Sequence, residues 1–207
     1  MIISFEGLDG CGKSTQIFKL KEYLISLGNK VEVLREPGGS KISEKIRDIL
    51  LDKKNLSMVY ETELLLYISS RAQLIKEEII PLLDSGHIVL LDRFIDSTMA
   101  YQGYGRGLDI DLIDSLNHFA TMNGKYFPDI TFFFDLDPET SLNRVKTRGE
   151  EINRMEAAKL DFFVKAHEGF KTIQQKDPDR MIKIDGSLEP DKVFASLKKE
   201  LEERINL

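Results

Sequence analysis

Apolar positions along the chain follow two alternating rhythms. Five short, nearly continuous runs rich in β-branched and aromatic residues, Met1–Phe5, Lys30–Leu34, His87–Leu91, Ile130–Phe134 and Met181–Ile184, read as strands buried on both faces. Longer stretches between them carry apolar residues at helical spacing. Ile17, Leu20, Tyr23, Leu24 and Leu27 form one stripe, with Gly28 placed to end that helix. Leu64, Ile68, Ile75, Ile79 and Leu82 form a second, closed by Gly86. Buried strands alternating with helices predict a parallel sheet covered on both sides, a three-layer α/β architecture. No repeat or Ser/Pro-rich linker breaks the pattern, so one domain over 1–207 is expected. Thr147–Asn153, the most polar stretch between two helices, is expected to be a mobile lid.

The turn between the first strand and the first helix carries the clearest chemistry. Gly7-Leu8-Asp9-Gly10-Cys11-Gly12-Lys13-Ser14 matches the pattern G-x-x-x-x-G-K-[ST] in its required setting, a strand before and an amphipathic helix after. Glycines let successive backbone N–H groups curl toward phosphate oxygens, and the helix N-terminus adds partial positive charge. Lys13 is placed to reach the β- and γ-phosphates, and the Ser14 hydroxyl to ligate Mg²⁺. The other half of such a metal site is an acid at the end of a buried strand, and Asp92 ends the run His87–Leu91. Cys11 reads as a small loop filler.

Composition then narrows the partners. With 29 Lys and Arg against 35 Asp and Glu, the chain has a formal net charge of −6, which argues against nucleic-acid and anionic-membrane binding but leaves room for a local basic pocket. A single cysteine forbids an intrachain disulfide and fits a reducing compartment. No apolar run approaches a membrane span and no signal peptide is visible, so a cytoplasmic protein is expected.

Two classes of phosphate-loop protein remain. A guanine-nucleotide switch needs an Asn-Lys-x-Asp reader, yet Asn29-Lys30 is followed by Val31-Glu32 at the start of an early strand. A kinase for a small acceptor must bring two polyanions together and so needs arginines outside the loop. Arg47, Arg71, Arg93, Arg106, Arg144, Arg148 and Arg154 stand in such settings, and Arg144 and Arg148, four apart, share a helix face pointing into the lid. Solvated pairs with Glu150, Glu151 and Glu156 are the plainer use of the lid arginines. Tyr67 and Arg71 also face one way and make a reasonable nucleobase clamp, a ring to stack on and a fork for base carbonyls. Thr98, Tyr101 and Gln102 share a face just after Asp92-Arg93. Each group could equally be core packing with a capped surface end, so spacing alone stops at a nucleotide-sized acceptor such as a nucleoside monophosphate.

Together these stretches resemble the thymidylate kinase family. Phe5-Glu6-Gly7 through Thr15-Gln16 is similar to its phosphate loop, and Arg35-Glu36-Pro37-Gly38-Gly39-Ser40 to its second-strand loop. Asp92-Arg93-Phe94-Ile95-Asp96-Ser97-Thr98-Met99-Ala100-Tyr101-Gln102-Gly103 resembles its most specific stretch. Pro128–Thr131 and the lid run Arg148-Gly149-Glu150 to Arg154-Met155-Glu156 agree as well. The similarity runs in order along essentially the whole chain.

What the resemblance implies is specific. The fold would be the P-loop nucleoside-monophosphate-kinase fold with a five-stranded parallel sheet and a lid at about 144–156. The reaction would be transfer of the γ-phosphoryl of Mg·ATP to dTMP. Tyr67 would stack on thymine, Arg71 would bond its O4, and Thr98 and Gln102 would reach the base edge. Tyr101 would lie under the deoxyribose, and Asp9 would hold the 3′-hydroxyl or the metal through water. Arg47 and Arg93 would grip the dTMP phosphate, with Glu36 at the same site. Gly7, Leu8, Asp9, Gly10, Cys11, Gly12, Lys13, Ser14, Thr15 and Arg144 would bind ATP, with Ser14 and Asp92 on Mg²⁺. The phosphate loop has no basic residue at Asp9-Gly10, so lid arginines would supply the catalytic cation, Arg148 and Arg154 first and Arg144 in support. Cys11 stands where Ala or Ser is common, and Asn153 where an Asp often precedes the lid arginine. The family also implies a cis Glu36–Pro37 bond and a homodimer. Another nucleoside-monophosphate or deoxynucleoside kinase is the alternative enzyme, and a nucleotide-dependent switch the alternative from another class.

Overall fold

The computed structural model describes residues 1–147 and 153–204, so residues 148–152 of the expected lid, Arg148 among them, lie outside the described residues. In chain order the elements are β1 (Ile2–Glu6), α1 (Lys13–Ser26), β2 (Lys30–Arg35), α2 (Lys41–Leu51), α3 (Tyr60–Leu74), α4 (Ile80–Asp84) and β3 (His87–Asp92). They continue with α5 (Ile95–Thr98), α6 (Ile110–Ala120), β4 (Ile130–Asp135), α7 (Pro138–Thr147), α8 (Leu160–Lys176), β5 (Met181–Asp185) and α9 (Pro190–Arg204).

The five strands form one parallel sheet in the order β2-β3-β1-β4-β5. Alternation along each strand divides the side chains between two helical layers. Ile3 and Phe5 of β1, Phe132 and Phe134 of β4 and Ile182 and Ile184 of β5 pack with Leu20 and Leu24 of α1 and Leu197 and Leu201 of α9. On the other face Ile2, Val89 and Leu91 meet Leu74, Ile75 and Ile79, while Phe133 and Met181 meet Phe163, Ala166 and Phe170 of α8. Each fully buried Phe contributes about 1.5–3 kcal/mol relative to exposure. Chain order reverses at β1: β3 lies on one side of it and β4 on the other, so the crevice for a ligand opens at the carboxyl ends of β1 and β3.

Two expected stripes differ in detail. The first helix stops at Ser26, which leaves Leu27 48% exposed rather than on the stripe, and Gly28 follows with φ +88°. The second stripe is not one regular helix. A π-helical turn at Ile75–Ile79 separates α3 from α4. It directly precedes Pro81, which cannot donate to the ladder and crowds the carbonyl four residues back. The wider turn keeps Ile75 and Ile79 buried across that interruption.

Candidate functional site

The loop after β1 is shaped by backbone that only glycine tolerates easily. Gly7 has φ +135°, and a Cβ there would stand 2.7 Å from the Phe134 carbonyl oxygen. Gly12, with φ +97°, leads into α1 without a side-chain cap, so the first N–H groups of the helix face the loop. Lys13 folds back over it, donating to the Gly7 (3.1 Å) and Leu8 (3.0 Å) carbonyls. Its ammonium is held by backbone dipoles and has no ion pair among the described residues.

A cleft runs from this loop across the carboxyl ends of the strands, lined by Asp9, Gly10, Gly12, Lys13, Ser14 and Thr15 together with Arg35, Arg47, Asp92 and Arg93. Asp92 closes β3, as its placement in the sequence predicts, and no described residue bonds its carboxylate. The exposed Ser14 hydroxyl lies on the same cleft. One hydroxyl and one uncommitted carboxylate are the hard oxygen donors that Mg²⁺ takes alongside substrate phosphates, so these residues fit that ion. Arg47 donates to the Pro37 carbonyl (2.8 Å), and burial together with the nearby Arg35 pushes its pKa below the ordinary value, although Glu44, which bonds Arg35, and Asp92 pull the other way.

Arg93 is the joint of the site. It is one of three non-glycine residues with positive φ (+72°) among the described residues, and its guanidinium donates to the Gly7 carbonyl (2.8 Å), the Ser97 hydroxyl (3.0 Å) and Asp9 (2.7 Å) while lying 5.1 Å over the Tyr101 ring. Beneath it Glu6, fully buried at the end of β1, accepts the Phe94 N–H (2.7 Å) and the Ser97 hydroxyl. Burial, reinforced by Asp96, pushes the Glu6 carboxyl up to about 7. A left-handed arginine persists only where its surroundings over-determine it, and these bonds do so.

Beyond Arg93 a second, more apolar pocket is lined by Tyr67, Arg71, Phe94, Thr98, Tyr101, Gln102 and Met155. It shares Asp9, Glu36, Arg47, Arg93 and Asn153 with the phosphate cleft, so the two cavities meet at a pair of arginines. Thr98, Tyr101 and Gln102 do fall on one wall, although through a π-helical turn at Met99–Gly105 rather than a regular helix. Arg71 is almost entirely buried. Nε and Nη2 hold Glu36, Nη2 also donates to Thr98 (2.9 Å) and the Phe94 carbonyl (3.1 Å), and Nη1 donates to Asn117 (2.6 Å). Of five guanidinium N–H groups, one on Nη1 is left for the pocket. The Glu36–Pro37 bond is cis.

Behind the Gln102 wall sits Glu63, fully buried and unforeseen from sequence. Its carboxylate accepts from Gln102 Nε2 (2.9 Å) and Arg106 Nε (3.2 Å) and is ion-paired with Arg154 Nη2 (2.7 Å). Burial pushes its pKa up, but the bond from Gln102 and the two guanidiniums outweigh that and hold it below the ordinary carboxylate value. Arg154 therefore differs from its expected place over the transferring phosphoryl. It is 7% exposed, donates to the Leu50 carbonyl (2.6 Å) and serves the Glu63 charge, and it does not line the phosphate cleft. The physical reason is that a buried carboxylate needs compensating cations. Asn153 is a competent substitute for an acid: its Oδ1 accepts the Met155 and Glu156 N–H groups while Glu156 accepts the Asn153 N–H, a reciprocal cap. Arg144, on exposed α7, reaches the Gly10 and Gly186 carbonyls (both 3.3 Å) at the far end of the phosphate loop.

Comparison with known proteins agrees with this geometry. The family model for thymidylate kinase matches residues 5–197. The thymidylate kinase of Thermoanaerobacter sp. (strain X514) is 51% identical over 196 residues, covering 94% of each chain. That of Chlorobaculum tepidum is 45% identical over 205 residues, covering 95% of this chain and 94% of its own. Among solved structures, the crystal structure of thymidylate kinase from Ehrlichia chaffeensis superposes with a TM-score of 0.79 at 36% identity, covering 98% of each chain.

Proposed function

The chain belongs to the thymidylate kinase family, and we propose that its two joined cavities divide an ATP:dTMP phosphotransferase between a base-reading end and a phosphate end. The reaction transfers the γ-phosphoryl of ATP to dTMP, giving dTDP and ADP. The observation that carries the division of labour is the junction at Arg47 and Arg93, shared by both cavities. A nucleoside monophosphate with its base against Tyr67, Arg71, Thr98 and Gln102 and its sugar over Tyr101 and Asp9 would have its phosphate between those two guanidiniums, facing the phosphate loop.

From there the residues act by positioning and charge. The backbone N–H groups of Gly7–Gly12, with Leu8, Thr15 and Arg144, hold the triphosphate. Lys13 leaves its carbonyl partners for the β- and γ-oxygens. Ser14 and Asp92 would hold Mg²⁺, which neutralises charge on the β- and γ-phosphates when bound. Arg93, clamped by Ser97 and Asp9, keeps the acceptor oxygen in line. That oxygen is already anionic, so no general base is needed. Arg148 supplies the lid cation, while Arg154 ties the lid's far end to the base pocket through Glu63.

The same reading makes the enzyme a cytoplasmic homodimer that binds no nucleic acid. No helix among the described residues is long and apolar enough to cross a membrane. Leu65 on α3 and Leu112 and Phe119 on the neighbouring α6 are exposed apolar residues that a dimer would cover, which light scattering on the purified protein tests.

A coupled ADP-release assay across dTMP, dUMP, UMP, CMP, AMP and thymidine tests the function. The expected result is dTMP well ahead. Preference for AMP or free thymidine overturns the acceptor, and tight nucleotide binding without acceptor-stimulated turnover favours a switch.

A further inference from the structure

We propose that Glu63, which touches neither substrate in this reading, is the positioning residue that fixes the Gln102 amide and thereby makes the acceptor pocket reject cytosine. The inference rests on the assignment of the base to the Tyr67–Gln102 pocket.

A glutamine amide has two chemically opposite ends, an acceptor oxygen and a donor NH₂, and which end faces a ligand is set by what holds the other. Gln102 is 1% exposed and lines the pocket with no freedom to turn at low cost. Its neighbour on the far side is the Glu63 carboxylate, which has only lone pairs to offer. Gln102 Nε2 donates to Glu63 Oε1 at 2.9 Å, and Oε1 of Gln102 has no hydrogen-bond partner among the described residues. The amide oxygen is thus the end presented to the base. Thymine and uracil carry a hydrogen on N3 and can donate to it. Cytosine has a bare N3 lone pair at the same place, so an oxygen would face a lone pair and both groups would be left unpaired.

Glu63 can do this because it remains an anion in the interior. Arg106 Nε shares Oε1 with Gln102, while Arg106 Nη2 and the ion-paired Arg154 Nη2 lie on Oε2, and both guanidiniums are themselves largely buried. The two arginines make the carboxylate tenable, the carboxylate turns the amide, and the amide reads N3. Glu63, Tyr67 and Arg71 stand at i, i+4 and i+8 of α3, so one helix face carries the ring, the fork and the hidden orienting group.

Glu63→Gln separates orientation from packing. The new amide would turn its oxygen to Arg154 Nη2 and Arg106 Nη2, which only donate, and its NH₂ to Gln102, giving up the Arg106 Nε bond. Gln102 would then flip and present NH₂ to the base, which suits cytosine. The measurement is kcat/KM for dTMP, dUMP and dCMP in the wild type, Glu63→Gln and Glu63→Asp. The dCMP:dTMP ratio should rise about 10-fold or more in Glu63→Gln, the scale of one buried unpaired group. It should stay within about threefold of wild type in Glu63→Asp, where the acceptor is kept even if both rates fall. The dUMP:dTMP ratio should not move, because uracil shares the N3 edge of thymine. A common fall for all three acceptors with unchanged ratios, or an equal rise in Glu63→Asp, overturns the proposal. If Glu63→Gln does not fold, Gln102→Met decides it: loss of the amide should relax the same ratio, and an unchanged ratio overturns the inference. Wild-type protein that does not turn over dTMP overturns the base assignment and this inference together, whereas normal dTMP turnover with an unmoved ratio overturns the role of Glu63 alone.

Discussion

The two ends of the site are built on opposite principles. At the base end most polar groups, apart from the Tyr101 hydroxyl and the Gln102 amide oxygen, are satisfied inside the protein: Arg71 gives four kinds of hydrogen bond, Glu63 receives Gln102 and two arginines, and Thr98 and Asn117 each accept from Arg71. At the phosphate end the partners are provisional. Lys13 rests on carbonyls, Arg47 bonds one carbonyl and no carboxylate, with Arg35, Glu44 and Asp92 nearby, and Asp92 is bonded by no described residue. A base is small, neutral and read by a few directional bonds, so its reader must be rigid before it arrives. A polyphosphate carries its own charge and metal, so the protein holds cations in reserve and lets the ligand complete the network.

Variants at each end should therefore fail differently. The largest effect is expected from Lys13→Ala: kcat should fall by about 10³ or more in the ADP-release assay while thermal stability is nearly unchanged. A large stability loss there would break the contrast. Arg148→Ala should lower kcat by about 10², loss of one charge donor, with the dTMP KM little changed. Arg154→Ala should act at the other end, raising the dTMP KM more than it lowers kcat, because its charge sits on Glu63. Equal kcat losses in both would put the two arginines in one role. The smallest effect concerns Glu6. Its carboxyl is raised to about 7 in the folded protein by burial and Asp96, above the ordinary 4.5, so the folded state keeps a proton that the unfolded chain loses. Its contribution to stability is complete below about pH 4.5 and declines as pH rises to about 7. Glu6→Gln should flatten that part of the urea-midpoint profile, and an unaltered slope would remove Glu6 from it.

The same contrast decides what was legible from sequence. All five strands stand where apolar runs predict them, and each continues one residue past the run, ending on Glu6, Arg35, Asp92, Asp135 and Asp185. Ladder bonds continue after the apolar pattern stops, and the charged residue at each end marks the edge where ligands bind. The phosphate loop was legible because its chemistry is local, eight consecutive residues between strand and helix. The base end was only half legible. Tyr67 and Arg71 declare themselves by spacing, but Glu63, Asn117 and Glu6 do not until the fold brings Gln102, Arg106 and Arg154 to Glu63, Arg71 to Asn117, and Phe94 and Ser97 to Glu6, across 39 to 91 residues. Glu63 on the Tyr67–Arg71 helix face was the available signal.

The most direct test of this division compares Arg71→Met with Arg47→Met by urea unfolding of the ligand-free protein. Arg71 compensates a buried Glu36 and Arg47 awaits an anion, so the expected loss is about 3–5 kcal/mol for the first and about 1 kcal/mol or less for the second. Equal losses, or a larger loss at Arg47, would contradict it.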